Sequence, residues 1–419
     1  MSATSASVDV LVVGGGPSGA ACAYWLAEAG HDVVLVDRKH SPREKTCGDG
    51  LTPRSVRQLT DMGLGDDLAR HHRFDGLRSV AFGRTLELRW PDHPSLPDHG
   101  YVITRADLDA LVARRAEKAG AVVLEGREAV APLVERGLVR GAVVRDKDTG
   151  AATELTARYI VVADGANSRF GRALGTARDR GYPLGMAIRG YFESPRHDEP
   201  WIESHLDIRD QAGNVLPGYG WIFPLGDGRV NVGVGLLSTF NQWKAVNTSR
   251  VMEAFVAGAP ESWGLSPDTS CGAPTGGRLP MGLSVGPHAG PTYLVVGDAA
   301  GAINPFNGEG IAFAYETGRR AAEAVLEALV TGNGLALQVY DVRLAETYGL
   351  YFKVARAFVR IIGQPELMRA LVSTGMRSRS LMEWVMRIMA NLLRPDELGP
   401  AEAAYRAVAA VASLVPDAA

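Results

Sequence analysis

The chain has 419 residues, room for two or three domains of ordinary size. Its composition, 46% hydrophobic and 22% charged, is that of a folded globular protein, and a net charge of −3 gives no reason to expect nucleic acid as a partner. The three cysteines form no CxxC pair and the nine histidines no HExxH or His/Cys cluster, so neither a disulfide framework nor a metal site is expected.

Residues 1–7 are a short polar tail without a basic flank, and no stretch approaches the roughly 20 apolar residues of a membrane span, so a cytoplasmic protein is expected. Residues 8–13 predict a buried strand that ends abruptly in glycines. A helix follows over 18–29, with Gly30 as its stop signal, and a second buried strand over 33–36. This βαβ start implies a parallel, doubly wound sheet. Residues 41–54 read as loop, and 106–119 as an amphipathic helix with Leu108, Leu111 and Val112 on one side. Residues 121–123 and the alternating segment 138–144 predict a small antiparallel meander, returning to a buried strand over 159–163. Strand character fills 184–237, where Val230, Val232 and Val234 alternate with Asn231 and Gly233. A short strand over 293–296 ends at Gly297-Asp298, and from Ile311 onward the chain reads almost wholly helical.

Gly14-Gly15-Gly16-Pro17-Ser18-Gly19 fits GxGxxG between a strand and a helix. Gly14, Gly16 and Gly19 permit the tight turn, close approach to a pyrophosphate and close helix packing, and the helix N-terminus favours phosphate. Asp37 follows Gly14 by 23 residues, near the spacing of a ribose-binding acid. This unit alone leaves NAD and FAD open.

Two later segments narrow the choice. Ala163-Asp164-Gly165-Ala166-Asn167-Ser168 and Gly297-Asp298-Ala299-Ala300 resemble the Asp-Gly and Gly-Asp segments of the aromatic-hydroxylase-like FAD enzymes, and Arg105 matches an arginine that touches FAD there. Read singly, Asp164 is equally a turn acid. The resemblance implies FAD as cofactor, with Asp298 on the ribityl chain. It extends the expected contacts to Pro17, Ser18, Arg38, Cys47, Gly48, Pro305, Gly308, Gly310 and Ile311. The implied fold is α/β: a discontinuous Rossmann-type FAD-binding domain (1–75, 101–180 and 285–345), an antiparallel-sheet substrate domain (76–100 and 181–284) and a helical C-terminal region (346–419).

The segments Lys45-Thr46-Cys47-Gly48-Asp49-Gly50-Leu51-Thr52-Pro53-Arg54 and Gly218-Tyr219-Gly220-Trp221-Ile222-Phe223-Pro224 resemble the geranylgeranyl reductase family, as does Asn304-Pro305-Phe306-Asn307-Gly308-Glu309-Gly310-Ile311. The resemblance is strongest to the branch that hydrogenates one isoprene unit of a menaquinone tail. It implies a long-chain isoprenoid substrate and an external electron donor, NAD(P)H or a ferredoxin-like carrier. Rival substrates are geranylgeranyl diphosphate or a prenylated natural product. A flavin monooxygenase or halogenase on the same scaffold is a further rival, although Tyr219 and Phe223 depart from the halogenase WxWxIP pattern; a flavin-bearing sensor without turnover is another.

An internal isoprene alkene is unactivated, so its reduction needs a hydride, a proton and an apolar pocket tolerant of positive character. Tyr219, Trp221 and Phe223 alternate along a strand and share one face, where aromatic rings attract a cation; simple core packing would place them there equally well. Cys47, Tyr219 or a bound water could give the proton, Cys47 being otherwise a small buried hydrophobe. Glu309 is expected to matter through the backbone N–H groups of its segment rather than its carboxylate. Residues 351–394 carry Lys353, Arg356, Arg360, Arg369, Arg377, Arg379, Arg387 and Arg394 against Glu366 and Glu383. Such basic amphipathic helices suit either a membrane surface or a solvated cap over the pocket.

Overall fold

The run predicted over 8–13 forms the strand Ser7–Val13, buried from Val10 onward, in the computed structural model, which describes residues 7–240, 243–394, 397 and 399–414. It lies between two parallel neighbours, Val33–Asp37 on one side and Ala152–Val162 on the other. The helix Pro17–Glu28 starts directly after the glycine loop, with Pro17 in its first turn, where the missing N–H costs no bond. Its alanine-rich face packs into one apolar cluster with the helices Arg105–Lys118 and Ile311–Thr331. A second cluster fills the opposite face of the sheet.

The eleven-residue strand Ala152–Val162 serves two neighbours along one edge: its first residues pair with Leu138–Asp146, and its last three pair in parallel with Tyr293–Val295. The meander differs from the expectation. Residues 122 and 123 belong to the strand Val122–Glu125, which pairs in parallel with Val33–Asp37 at the sheet edge, because the preceding helix returns the chain to the starting end. Its place beside Leu138–Asp146 is taken by Arg127–Glu135, whose first seven residues are all half-buried and therefore show no alternation.

A second seven-stranded sheet runs Thr275–Pro280, Leu184–Glu193, Arg229–Leu237, Gly218–Pro224, Trp201–His205, Gly76–Ala81, Arg84–Arg89. All its pairs are antiparallel except Trp201–His205 with Gly76–Ala81. Val230, Val232 and Val234 turn to the helix Thr248–Gly258, meeting Val251, Met252 and Phe255. The alternation therefore sends Asn231, Gly233 and Gly235 to the other face, towards the nucleotide-binding sheet. The C-terminal helices Pro365–Gly375 and Arg379–Met389 close over one end of that face, with Met376, Met382 and Met386 against Phe74, Leu88 and Trp90.

Candidate active site

The glycine loop is shaped by close approaches that no side chain could share. Gly14 sits at φ +107°, and a Cβ there would lie 2.4 Å from the Ala163 carbonyl oxygen. A Cβ on Gly19 would lie 1.9 Å from the Gly14 oxygen. Asp37 ends its strand beneath this loop, accepting from the Gly15 N–H at 2.7 Å and from Arg43 at 2.6 Å. Arg43 also approaches Asp109 at 3.3 Å, and its guanidinium stands 3.6 Å from where a Gly16 side chain would begin. A helix N-terminus, a loop without side chains and an overhanging guanidinium together form a diphosphate cradle.

Asp298 extends the groove. Burial disfavours its charge, but the Lys45 ammonium at 2.8 Å offsets this and holds its pKa below the usual carboxylate range. Asp164 spends its carboxylate locally, accepting from Ser168 and from the Arg169 and Phe170 N–H groups at 2.8 and 3.0 Å, and so caps the short helix Arg169–Ala173. Arg105 is a buried side chain paired with Asp109 one turn on.

Apart from Gly19 and Gly297, every sequence-predicted site residue lines one cavity of about 940 Å³. That set comprises Gly14, Gly16, Pro17, Ser18, Asp37, Arg38, Cys47, Gly48, Arg105, Asp164, Gly165, Tyr219, Trp221, Phe223, Asp298, Pro305, Gly308, Gly310 and Ile311. Gly19 stands behind Gly14, and Gly297, at φ +58°, donates its N–H to Thr317.

At the centre of the cavity the 45–50 loop leans on the second sheet. Tyr219, Trp221 and Phe223 share one face, with ring centroids 5.9 and 6.3 Å apart. A Cβ on Gly48 would lie 2.9 Å from the Phe223 ring, and one on Gly233 would lie 2.2 Å from the Trp221 indole. Fully buried Asn231 ties these parts together, accepting from the Trp221 indole N–H at 2.9 Å and donating to the Cys47 carbonyl at 2.8 Å and to Asp49 at 2.7 Å. Asp49 also accepts from the Tyr191 hydroxyl at 2.6 Å and the Arg105 N–H at 3.2 Å. Burial nevertheless pushes its pKa up to about 6. Neither Asn231 nor Asp49 was among the expected site residues. Asn231 had a signal: it is a polar side chain followed on the same face of its strand by Gly233 and Gly235.

The groups that could carry a proton differ sharply. Burial pushes the half-buried Cys47 thiol above its ordinary pKa, and burial does the same to Tyr219, whose hydroxyl donates to the Asn307 carbonyl at 2.6 Å. Glu309 follows two residues later. Its Oε1 accepts from the Thr52 hydroxyl, its Oε2 is shielded and has no hydrogen-bond partner among the described residues, and burial pushes its pKa up to about 7. The carboxyl that was expected to matter less than its backbone is thus a buried titratable group held against Thr52.

The arrangement matches known proteins along its length. Residues 7–206 match the FAD binding domain family. The menaquinone reductase of Mycobacterium tuberculosis is 42% identical over 391 residues, 93% of each chain. Digeranylgeranylglycerophospholipid reductase 2 of Methanosphaera stadtmanae is 33% identical over 78% of this chain and 79% of its own. Among solved structures, a geranylgeranyl bacteriochlorophyll reductase-like protein from Thermoplasma acidophilum shares the fold, with a TM-score of 0.78 at 22% identity over 96% of this chain and 99% of that one. The cofactor is FAD, and the chain belongs to the geranylgeranyl reductase family of FAD-dependent enzymes, together with the menaquinone reductases.

Proposed function

We propose that this enzyme saturates one isoprene double bond in the tail of menaquinone. The observation that carries the reading is the course of the cavity. From the glycine loop it passes Tyr219, Trp221 and Phe223, then runs between Leu88, Ile202 and Leu206 of the second sheet and Met368, Met382, Met386 and Met389 of the C-terminal helices. This far part is lined by apolar side chains, and its methionines can adapt to a flexible chain.

The nucleotide end suits FAD: Gly14, Gly16, Pro17, Ser18 and Arg43 for the diphosphate, Asp37 and Arg38 for the ribose, Asp298 for the ribityl chain, and Cys47, Gly48, Pro305, Gly308, Gly310 and Ile311 for the ring system. When bound and reduced, FAD supplies hydride from N5. The protein's own contribution is to hold the alkene against that position, exclude water, and face developing positive charge with the rings of Tyr219, Trp221 and Phe223, worth about 0.5–2 kcal/mol in a dry pocket.

The substrate would arrive from a bilayer. Leu371 lines the cavity and is itself exposed, as are Ile361 and Leu367, and Arg360, Arg369, Arg377 and Arg379 are exposed on the same group of helices. Exposed apolar residues and arginines on one group of helices suit an anionic membrane surface. Among the described residues no helix is long and apolar enough to cross a membrane, so docking would be peripheral. Arg356 departs from the basic face, being buried and bonded to the Gly282 carbonyl. Electrons would come from an external carrier, NAD(P)H or a ferredoxin-like protein.

The test is anaerobic incubation of the dithionite-reduced holoenzyme with unsaturated menaquinone, followed by mass spectrometry. A gain of two hydrogens in the tail is expected. A fully reduced flavin beside an unchanged tail overturns the reading.

A further inference from the structure

Two serine hydroxyls interrupt the apolar wall in the far part of the cavity. Ser204 stands opposite Trp221 where Trp201–His205 pairs with Gly218–Pro224, and Ser79 stands beside Ser204 where Gly76–Ala81 joins on the other side. Residues in register share a face, so Ser79 and Ser204 lie on the face that carries Trp221, and both line the cavity. Leu77, Ile202 and Leu206 stand two positions away on the same strands and line it with them.

Ser79 is 1% and Ser204 8% exposed. Neither hydroxyl has a hydrogen-bond partner among the described residues, yet neither oxygen is shielded in the way that Glu309 Oε2 is. The surface they keep is therefore turned to the cavity. Ser18 is in the same condition at the nucleotide end, beside the glycine loop. A buried hydroxyl without a partner is costly, and alanine would line the same wall without that cost. The pair is thus suited to a polar group that enters with the substrate.

We propose, on the reading that this cavity reduces an isoprene bond of menaquinone, that Ser79 and Ser204 hold its head group by donating hydrogen bonds to one quinone carbonyl oxygen. Neighbouring strands lie about 4.8 Å apart, so two hydroxyls side by side can reach one acceptor between them, and a carbonyl oxygen has two lone pairs. The row suits a neutral acceptor and not a diphosphate. Its charged neighbours in sequence, Arg78 and Glu203, turn to the opposite face of the sheet, where they pair at 3.4 Å. From Ser79 to Trp221 is two strand spacings, about 10 Å. A head group on the serines therefore lays the first part of the tail over the aromatic face, and the bond reduced is one near the ring. The rest of the tail leads out towards Leu371, which lines the cavity and is exposed.

The experiment gives the reduced holoenzyme, under anaerobic conditions, either menaquinone or squalene, an isoprenoid chain without a head group. Fragmentation mass spectrometry then locates the saturated unit. The wild type is expected to saturate menaquinone near the ring and to prefer it to squalene by about tenfold or more in kcat/KM. In the double variant Ser79→Ala/Ser204→Ala, which keeps the size of the wall, the KM for menaquinone should rise about tenfold, the preference should collapse and saturation should spread along the tail. An unchanged KM and an unchanged position of saturation in that variant overturn the head-group site and leave the proposed function standing. Saturation far from the ring by the wild type overturns the site as well. A wild type that saturates neither substrate overturns the function and this site with it. If the double variant loses its flavin, Ser79→Ala and Ser204→Ala are measured singly, and a wild-type KM in both counts against the site.

Discussion

Replacing Asp49 by asparagine isolates the electrostatic cost of fastening the 45–50 loop to the second sheet. Asp49 is fully buried at φ +66° and receives hydrogen bonds from Tyr191, Asn231 and the Arg105 N–H. Burial outweighs these donors and the nearby Arg189 and Arg105 charges, and moves its pKa from 3.8 to about 6. A folded-state pKa above the unfolded one means that the folded chain binds this proton more tightly. The resulting stability is fully present below about pH 4 and is lost as pH rises through about 6. A shift of about two units corresponds to roughly 3 kcal/mol.

Asparagine tolerates the left-handed backbone and has the same shape. Its amide nitrogen must, however, face one of the donors that Asp49 now satisfies, at a cost of about 1–3 kcal/mol at every pH. Asp49→Asn should therefore melt below the wild type at acid pH and match or exceed it at pH 8, the difference swinging by about 3 kcal/mol. Thermal unfolding of the FAD-loaded proteins, followed by tryptophan fluorescence across that range, measures the swing. Glu309 and the other titrating groups are common to both proteins and cancel in the difference. A gap between the two melting curves that stays constant with pH would refute the assignment of this proton to folded Asp49.

Gly19→Ala places a methyl 1.9 Å from the Gly14 oxygen, so the glycine loop must shift; the purified protein should lack flavin absorbance yet remain folded by circular dichroism. Asn231→Leu removes three hydrogen bonds and leaves the Trp221 indole, the Cys47 carbonyl and Asp49 each short of a partner. At about 1–3 kcal/mol for each stranded group the loss is roughly 3–9 kcal/mol, visible as a lower melting temperature and weaker FAD retention; an unchanged melting temperature would contradict the hub role. Trp221→Leu empties the space above Gly233 while leaving the nucleotide groove intact, so FAD content should hold while prenyl reduction drops at least about tenfold, the effect of losing about 1.4 kcal/mol of transition-state stabilisation. Full turnover in this variant would reduce the aromatic face to core packing.

The nucleotide-binding half was readable because its determinants are local. A β-branched strand, a glycine turn, a proline in the first helical turn and an acid ending the next strand all fall within 31 residues, Ser7–Asp37. The same locality explains the misplaced edge strand. Nothing within residues 121–125 decides between pairing with the next segment of the chain and returning to the parallel sheet. The half-buried Arg127–Glu135 carries no alternation that would claim the meander for itself.

The chemistry of the cavity depends instead on pairs brought together across the fold. Asn231 meets Asp49 across 182 residues, and Thr52 meets Glu309 across 257. A carboxylate in a glycine-rich turn reads as solvated until something buries it, and the groups that interact with Glu309 include Tyr219, Thr52 and Arg54, none of them near it in sequence. Its backbone role could be anticipated from the turn and the helix start beyond it; its titration could not, because the pKa is a property of the neighbours. The same reasoning explains why Cys47 and Tyr219 stood out as donors. Their types suggest proton chemistry in isolation, but burial raises both above their ordinary range and brings Glu309 to about 7. Burial therefore shifts all three groups upward, an effect that the residue types alone do not show.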